Sequence, residues 1–326
     1  MATSGQLTFD KATIRGLSKK LWDNYSIVLV TICIMLIAAI FNPQILTLTT
    51  MLSIWRAASI VGIIALGMTF VIIAGGIDLS AGHIVAACGG VLIMLLRNPD
   101  IPIFLAILAC MGVGLLICFF SGTVITKASL PPFIVTLAIG ILARSLTMHF
   151  LGGATVTVGR SLPSFINIGL GSIGIFSNVM VAFVILAIIL HFVLKYTKFG
   201  SYVYAVGGNE SAALYSGINV KMVRTCTYAL LGVCIGIATV FDLSRMAAVS
   251  AATSGHQLEF YAITAVVVGG TSLMGGKGRI LGTVCGVFIV GMVNHVIVMT
   301  GISPFLAGAV RGMIILVAVL LQKQDK

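Results

Sequence analysis

Long apolar runs, separated by short polar or basic segments, set the pattern of this chain. Each run approaches the roughly 20 apolar residues that a helix needs to cross a bilayer core of about 30 Å. The runs therefore predict an all-α fold with about ten transmembrane helices. The predicted helices cover residues 26–42, 52–74, 83–97, 102–122, 132–151, 177–195, 222–242, 258–274, 280–300 and 304–321.

Composition strengthens the membrane interpretation, since 59% of the 326 residues are hydrophobic and only 8% are charged. A soluble globular chain has about 25% charged residues. The formal net charge of +11 raises the question of a nucleic-acid partner. The basic residues, however, form short clusters between apolar runs, which is the pattern of orientation signals. With ten helices most of these clusters fall on one side, so both termini are expected to be cytoplasmic and no nucleic acid is expected as a partner.

The prediction divides the chain into one membrane domain and two short tails. The N-terminal tail, at 1–24, has no cleavable secretory signal. The transmembrane domain is predicted at 25–322, with a cytoplasmic segment at about 196–221, and the C-terminal tail at 323–326. The cysteines and histidines lack metal-ligand spacing. We therefore expect a multi-pass protein of the inner (plasma) membrane without a metal, a cofactor or a soluble catalytic domain.

One acid, Asp78, lies within the apolar stretch VIIAGGIDLSAGHIVAACGG at 71–90. Glycine lets the backbone leave helical geometry, and an ionisable residue inside a membrane domain is a candidate functional group. Two roles stay open. Asp78 and Ser80 can cap free N–H groups where the next helix begins, or Asp78 can contact a substrate or coupling ion. The spacing favours the cap.

A second stretch, AVVVGGTSLMGGKGRILGTVCGV at 265–287, repeats the first. Both stretches follow apolar runs of the same predicted direction, and duplicated halves are frequent in transporters. Chance similarity of two tight turns is the alternative. Alignment on the glycine pairs places Ser272 at the position of Asp78, so a short polar side chain at a helix start is the expected common element. The predicted turn residues are Gly75, Gly76, Asp78, Ser80, Gly82, Gly269 and Gly270.

The cytoplasmic segment 196–221 contains a predicted short helix. Asn209 is its expected N-cap and Gly217 its expected end. A short capped helix outside the membrane presents a surface to a partner protein, and an ordinary loop helix is the alternative.

Several motifs together resemble one family. The pattern E-x-A-A-x-x-x-G-I at 210–218 resembles the coupling motif in the membrane subunits of ATP-binding-cassette importers. GGIDLSAG at 75–82 resembles the signature of the branch that imports ribose and related monosaccharides. The same branch is matched by LPPFIVTLA at 130–138, GSYVYAVGGNESAALYSGINV at 200–220, GGTSLMGGKGRILGTVCG at 269–286 and SPFLAGAVRGMIILVAVLL at 303–321. The resemblance covers about residues 50–321.

The resemblance implies the transmembrane subunit of an ATP-driven importer that moves a ribose-like pentose or hexose into the cytoplasm. It implies three partners besides membrane lipid: a cytoplasmic ATPase, a periplasmic or lipid-tethered sugar-binding protein, and a second permease copy or sister subunit. The chain lacks the phosphate-binding motif G-x-x-x-x-G-K-[ST], so ATP hydrolysis is expected in the partner. Ser211 and Leu214 depart from the family, where an acid and a base are common. The implied coupling residues are Asn209, Glu210, Ala212, Ala213, Gly217 and Ile218.

Polar residues within or beside the apolar runs are candidates for the translocation path. For Arg144 and Arg311 the alternative is snorkelling to the membrane interface or pairing with helix-end carbonyls. An ion-coupled secondary transporter remains a second function, although it predicts paired intramembrane acids and Asp78 is alone. An intramembrane enzyme predicts clustered catalytic groups, whereas the histidines are scattered. The candidates are Thr271, Ser272, Asn294, His295, Arg144 and Arg311.

Overall fold

The computed structural model describes residues 43–158 and 162–299, together with isolated positions between 31 and 39 and between 306 and 313. A 3-10 helix at Pro43–Leu46 precedes the first long helix. The α-helices that follow are α1 Leu48–Ile73, α2 Ala81–Leu96, α3 Ile103–Ala128, α4 Pro132–Phe150, α5 Pro163–Leu170, α6 Asn178–Tyr196, α7 Lys198–Gly208, α8 Glu210–Tyr215, α9 Val220–Met246, α10 Leu258–Val268 and α11 Ile280–Met299.

The predicted membrane helices between 52 and 300 all correspond to helices. Six of these, α1, α3, α4, α6, α9 and α11, are long and apolar enough to cross a membrane within the described ranges. Helices α2 and α10 have only 16 and 11 residues. The expected count of about ten is therefore not reached in the described part of the chain, and the predictions at 26–42 and 304–321 lie outside the continuous ranges.

The predicted helix at 258–274 is wrong at its end, because α10 stops at Val268. Gly269 and Gly270 follow directly, and Gly270 has a φ of +84°, which lies outside helical geometry. Eleven residues of α-helix rise about 16 Å, roughly half of a bilayer core. Helix α10 is thus a half-length element.

Four short strands amend the all-α expectation. Strand β1 (Thr155–Thr157) pairs antiparallel with β4 (Ala248–Ser250), and β2 (Ser172–Ile173) pairs with β3 (Phe176–Ser177). The β1–β4 pair joins the loop after α4 to the loop after α9. These two loops therefore lie at one end of the molecule.

Helix α9 lies at the centre of the fold and packs against α1, α2 and α3. Small residues allow the close approach, as is common between membrane helices. A Cβ at Gly67 would lie 2.9 Å from Leu231 Cα, and one at Gly232 would overlap the carbonyl of Gly114. In contrast, α3, α4 and α6 expose many large apolar side chains, as expected of surfaces that face lipid.

Candidate functional site: two glycine turns and a coupling segment

The first glycine turn, residues 74–80, closes helix α1. Gly75 has a φ of +81°. Its N–H donates to Ile72 O at 3.0 Å, and the N–H of Gly76 donates to Val71 O at 2.8 Å. This pair of bonds around a left-handed glycine is the standard way to bind the last carbonyls of a helix.

The second glycine turn, residues 269–279, begins with the same geometry. Gly270 has a φ of +84°, and its N–H donates to Val267 O at 2.9 Å. The N–H of Thr271 then donates to Val266 O at 3.2 Å. Gly75 thus corresponds to Gly270, and the predicted alignment of Gly75 with Gly269 is wrong by one residue at the helix end.

Asp78 and Ser272 make similar local bonds in different settings. The buried Asp78 Oδ1 accepts from the N–H and hydroxyl of Ser80 at 2.7 and 2.6 Å. Ser272 Oγ accepts from the N–H of Met274 at 3.2 Å. Helix α2 begins directly after Ser80, whereas α11 begins only at Ile280. The expected polar side chain at a helix start is therefore wrong for Ser272.

Backbone atoms of three elements meet beside these turns. The N–H of Gly276, in the second turn, donates to Ile73 O at the end of α1, at 2.9 Å. A Cβ at Gly207, in α7, would overlap that same carbonyl oxygen. A Cβ at Gly275 would lie 3.2 Å from Gly75 Cα and 2.8 Å from Gly207 O. We call Ile73, Gly75, Gly207, Gly275 and Gly276 the glycine junction.

Arg224, on α9, connects residues 196–221, which we call the coupling segment after its predicted role, to the first turn. Its Nη1 and Nη2 donate to the two carboxylate oxygens of Glu210, at 3.1 and 2.7 Å. Its Nε donates to Ala74 O at 3.3 Å. The planar guanidinium suits this two-pronged contact. The Glu210 side chain remains 55% exposed, so the pair lies at the molecular surface.

The short helix predicted in the coupling segment is confirmed as α8. Asn209 Oδ1 accepts from the N–H of Ala212 at 2.9 Å, and Gly217 follows the helix with a φ of +79°. The N–H of Ile218 donates to Ala213 O at 3.1 Å, and Ala213 is buried. The outer face of α8 exposes two large side chains instead: Leu214 and, at 90%, Tyr215.

A cleft of about 710 Å³ lies between α8, the start of α9, the first glycine turn and the loop from α3 to α4. Glu210, Arg224 and Lys221 give it a charged rim, while Val71 and Tyr228 form part of its apolar wall. The coupling segment therefore borders open space beside the first glycine turn.

The candidate path residues do not form one cluster. Thr271 is buried at the second turn, next to Ser272. Asn294 and His295 instead line a groove of about 210 Å³ between α1 and α11. They follow the start of α11 by 14 and 15 residues, which is about 21 Å along the helix. Arg311 lies outside the described residues.

Arg144, on α4, binds backbone carbonyls of the non-helical segment that precedes α10. Its Nη1 donates to Ala251 O at 3.0 Å and Ala252 O at 2.6 Å, and its Nη2 donates to Ser254 O at 2.9 Å. Nη2 also lies 3.5 Å from the carbonyl oxygen of Gly82. Irregular backbone inside a membrane domain persists only where its polar groups find hydrogen-bond partners. Arg144 is such a partner for three carbonyls of this segment.

Two tyrosines that sequence reasoning did not single out also bind the turns. Tyr228 donates to Ile77 O at 3.2 Å, and Tyr204 donates to Gly278 O at 2.7 Å. Burial raises the pKa of Tyr204, so its phenol stays a neutral donor. Arg224 was also not predicted as a site residue, because it belongs to the basic clusters that were interpreted as membrane-orientation signals. The Gly207-Gly208 pair near Tyr204 was the available signal for a close backbone contact.

Six long apolar helices in the described part of the chain, of which α1 and α9 are the most buried, define a multi-pass membrane protein. Residues 50–319 match the family model described as branched-chain amino acid transport system / permease component. The chain belongs to this permease family, and its inner-membrane location follows from that membership.

Curated relatives match nearly the whole chain. The ribose import permease of Bacillus subtilis is 40% identical, over 89% of this chain and 90% of the relative. That of Haemophilus influenzae is 38% identical, over 89% and 90%. The D-allose transport system permease protein of Escherichia coli is 32% identical, over 93% and 92%. No solved structure matches the chain.

Proposed function

We propose that this permease is the transmembrane subunit of an ATP-driven importer that carries a monosaccharide into the cytoplasm. The observation that carries the proposal is the near full-length similarity to import permeases for ribose and allose. The sugar reaches the permease from a binding protein on the outer side, and a separate ATPase subunit hydrolyses ATP. An ion-coupled mechanism gains no support from these relatives.

The coupling segment supplies the contact with the ATPase. Leu214 and Tyr215 project from α8 into solvent, and exposed large side chains of this kind anchor protein interfaces. Ala213 faces inward and fixes α8 on the membrane domain. Asn209, Ala212, Gly217 and Ile218 shape the helix ends, and Glu210 holds the segment to Arg224.

Movement of α8 reaches the membrane helices by two routes. Arg224 transmits it to the carbonyl of Ala74 at the first turn. The glycine junction transmits it from α7 to both turns through backbone contacts. Backbone contacts of this kind leave no flexible side chain to absorb a displacement, so a shift of the coupling segment moves the ends of α1 and α10 together.

The roles proposed for polar residues follow their positions. Asn294 and His295 line the translocation path, because they face the groove between α1 and α11. Thr271 and Ser272 stabilise the second turn, and Arg144 serves the backbone before α10. A second permease copy or a sister subunit completes the path. Alanine at both Asn294 and His295 that left uptake and ATPase coupling unchanged would remove these two residues from the path.

Reconstitution into proteoliposomes tests the function. The permease is combined with its ATPase and its binding protein, and uptake of labelled monosaccharides is measured, the sugars being chosen by thermal shifts of the binding protein. We expect uptake that needs ATP and persists in a proton uncoupler. Uptake driven by an ion gradient without ATP would contradict the proposal.

A pair of matched variants tests the docking surface. Tyr215→Ala is expected to weaken ATPase binding about 30-fold or more, since truncation of an interface anchor costs at least about 2 kcal/mol. Tyr202→Ala, which removes an exposed tyrosine from the neighbouring α7, is the control and should bind normally. Equal binding by the wild type and both variants would exclude α8 as the docking helix.

A further inference from the structure

A second concave site lies where α6, α7 and the start of α11 meet. It has a volume of about 440 Å³. Its wall combines Lys195, Arg279 and His191 with the hydroxyls of Ser201 and Tyr204, and none of its lining residues is acidic. The apolar part of the wall consists of Leu194, Ile280 and Leu281.

This basic pocket stands at the border between two kinds of surface. On one side lie large apolar side chains that point away from the protein, including Ile188 and Phe192 on α6 and Leu281 on α11. On the other side lies α7, which belongs to the coupling segment. Lys195 is in the last turn of α6, one of the helices long enough to cross a membrane. An occupant would therefore meet positive charge and apolar surface together.

The basic residues that line the pocket come from separate elements. Lys195 and His191 belong to α6, one helical turn apart, and Arg279 directly precedes α11. The N-terminal end of α11 adds the positive end of a helix dipole. Tyr204 lies close enough to Arg279 for the guanidinium charge to act on its phenol. Such a set of donors suits a phosphate group.

We propose that this pocket binds the phosphate headgroup of an anionic phospholipid, with the acyl chains lying along α6 and α11. Basic pockets between membrane helices on the cytoplasmic side are suited to such headgroups. The assignment of this pocket to the cytoplasmic side rests on the proposed function and the orientation that it implies. Lipid binding by the pocket does not depend on it. Because Tyr204 also donates to Gly278 O at 2.7 Å, a bound lipid would hold α7 against the second glycine turn.

The test compares two double variants of the full-length protein. Lys195→Gln with Arg279→Gln removes two charges from the pocket. Lys198→Gln with Lys277→Gln removes two charges from neighbouring positions that do not line it. Binding of fluorescent phosphatidylglycerol is measured in detergent and in phosphatidylcholine nanodiscs, and native mass spectrometry counts the lipids that stay bound.

We expect the wild type to bind phosphatidylglycerol in preference to phosphatidylcholine. The pocket variant should lose about 20-fold in affinity, near the product of about fivefold per basic residue. The control variant should change less than twofold. The single variant Lys195→Gln should lose about fivefold, which keeps the test usable if the double variant is poorly folded.

Three results would overturn the proposal. One is an equal loss in the control variant, which would indicate diffuse attraction by surface charge. The second is equal binding of both lipids by the wild type. The third is full displacement of the fluorescent lipid by inorganic phosphate or glycerol phosphate at low millimolar concentration, which would make the pocket a site for soluble anions.

Discussion

The two glycine turns share one motif but differ in what holds them. Each closes an apolar helix with a left-handed glycine, Gly75 or Gly270, and the same pair of backbone hydrogen bonds. The first turn then enters α2 within a few residues and contains the buried Asp78. The second continues through residues 271–279 and has two further left-handed glycines, Gly275 and Gly276.

The difference lies in the neighbours that each turn contacts. The first turn and the helix end before it accept bonds from outside, through the carbonyls of Ile73, Ala74 and Ile77. The second turn supplies one of them, from Gly276, and its glycines make room for the coupling segment. The repeated motif therefore ends a helix, and the residues after it decide which neighbours the turn contacts.

The largest expected effect on transport by an assembled permease comes from Gly207, where both turns meet α7. Gly207→Ala places a Cβ on Ile73 O and should separate the coupling segment from the turns, since core overpacking costs about 1–3 kcal/mol or more. ATP-dependent uptake should fall at least tenfold. Gly208→Ala is the matched control, because its Cβ would meet no atom within 4 Å. Similar uptake by the two variants would remove the glycine junction from the mechanism.

The buried carboxylate of Asp78 distinguishes the first turn from the second. Asp78→Leu leaves the Ser80 N–H without its partner in a buried site and should abolish assembly, because an unpaired buried polar group costs about 1–3 kcal/mol. Asp78→Asn keeps an acceptor and should retain assembly and much of the transport. Membrane yield and gel filtration give the readout. A Leu variant that assembles normally but cannot transport would assign Asp78 to the path instead.

Substitution of Arg224 tests whether the first turn is linked to the coupling segment. Arg224→Gln should lower uptake per ATP hydrolysed about tenfold, within the range of site-to-site couplings. The thermal stability should change little, since partly exposed ion pairs contribute about 1 kcal/mol or less. Lys221→Gln removes a charge from the same cleft and serves as control. A double-mutant cycle with Glu210→Gln should show that the two effects are not additive. Additive effects would show that Arg224 and Glu210 act independently.

The smallest expected effect concerns the second turn. Tyr204→Phe removes the hydrogen bond to Gly278 O and should lower the unfolding free energy by about 1 kcal/mol. Uptake should fall less than threefold, since Gly275 and Gly276 still hold the turn. Thermal unfolding and uptake are measured on the same preparation. A loss as large as that of Gly207→Ala would show that side chains, and not backbone contacts, fix this turn.

The sequence predicted the long helices well, because lipid and a packed interior both require sustained apolar runs. The end of α10 was missed, since Leu273 and Met274 bring apolar residues back directly after the glycine pair. The alignment of the two repeats was wrong by one residue because it was based on the sequence alone. Identity alone pairs Gly75 with Gly269, whereas the left-handed φ belongs to Gly270.

The candidate site was only partly predictable. The helix cap at Asn209 depends on neighbours in sequence and was found from them. The contacts of Arg224 with Ala74 and of Gly207 with Ile73 join residues more than 100 positions apart, and no periodicity of the chain encodes them. Arg144 was placed in the translocation path from its charge alone, whereas its partners are carbonyls of a loop that had no predicted structure.

The shortness of α10 has a mechanical consequence. One end of this helix is fixed to the second glycine turn. At the other end the buried Glu259 packs against Gly82, and Arg144 binds the preceding backbone. A helix of about 16 Å is too short to bend appreciably. It is therefore a rigid link between the second glycine turn and the backbone that Arg144 binds.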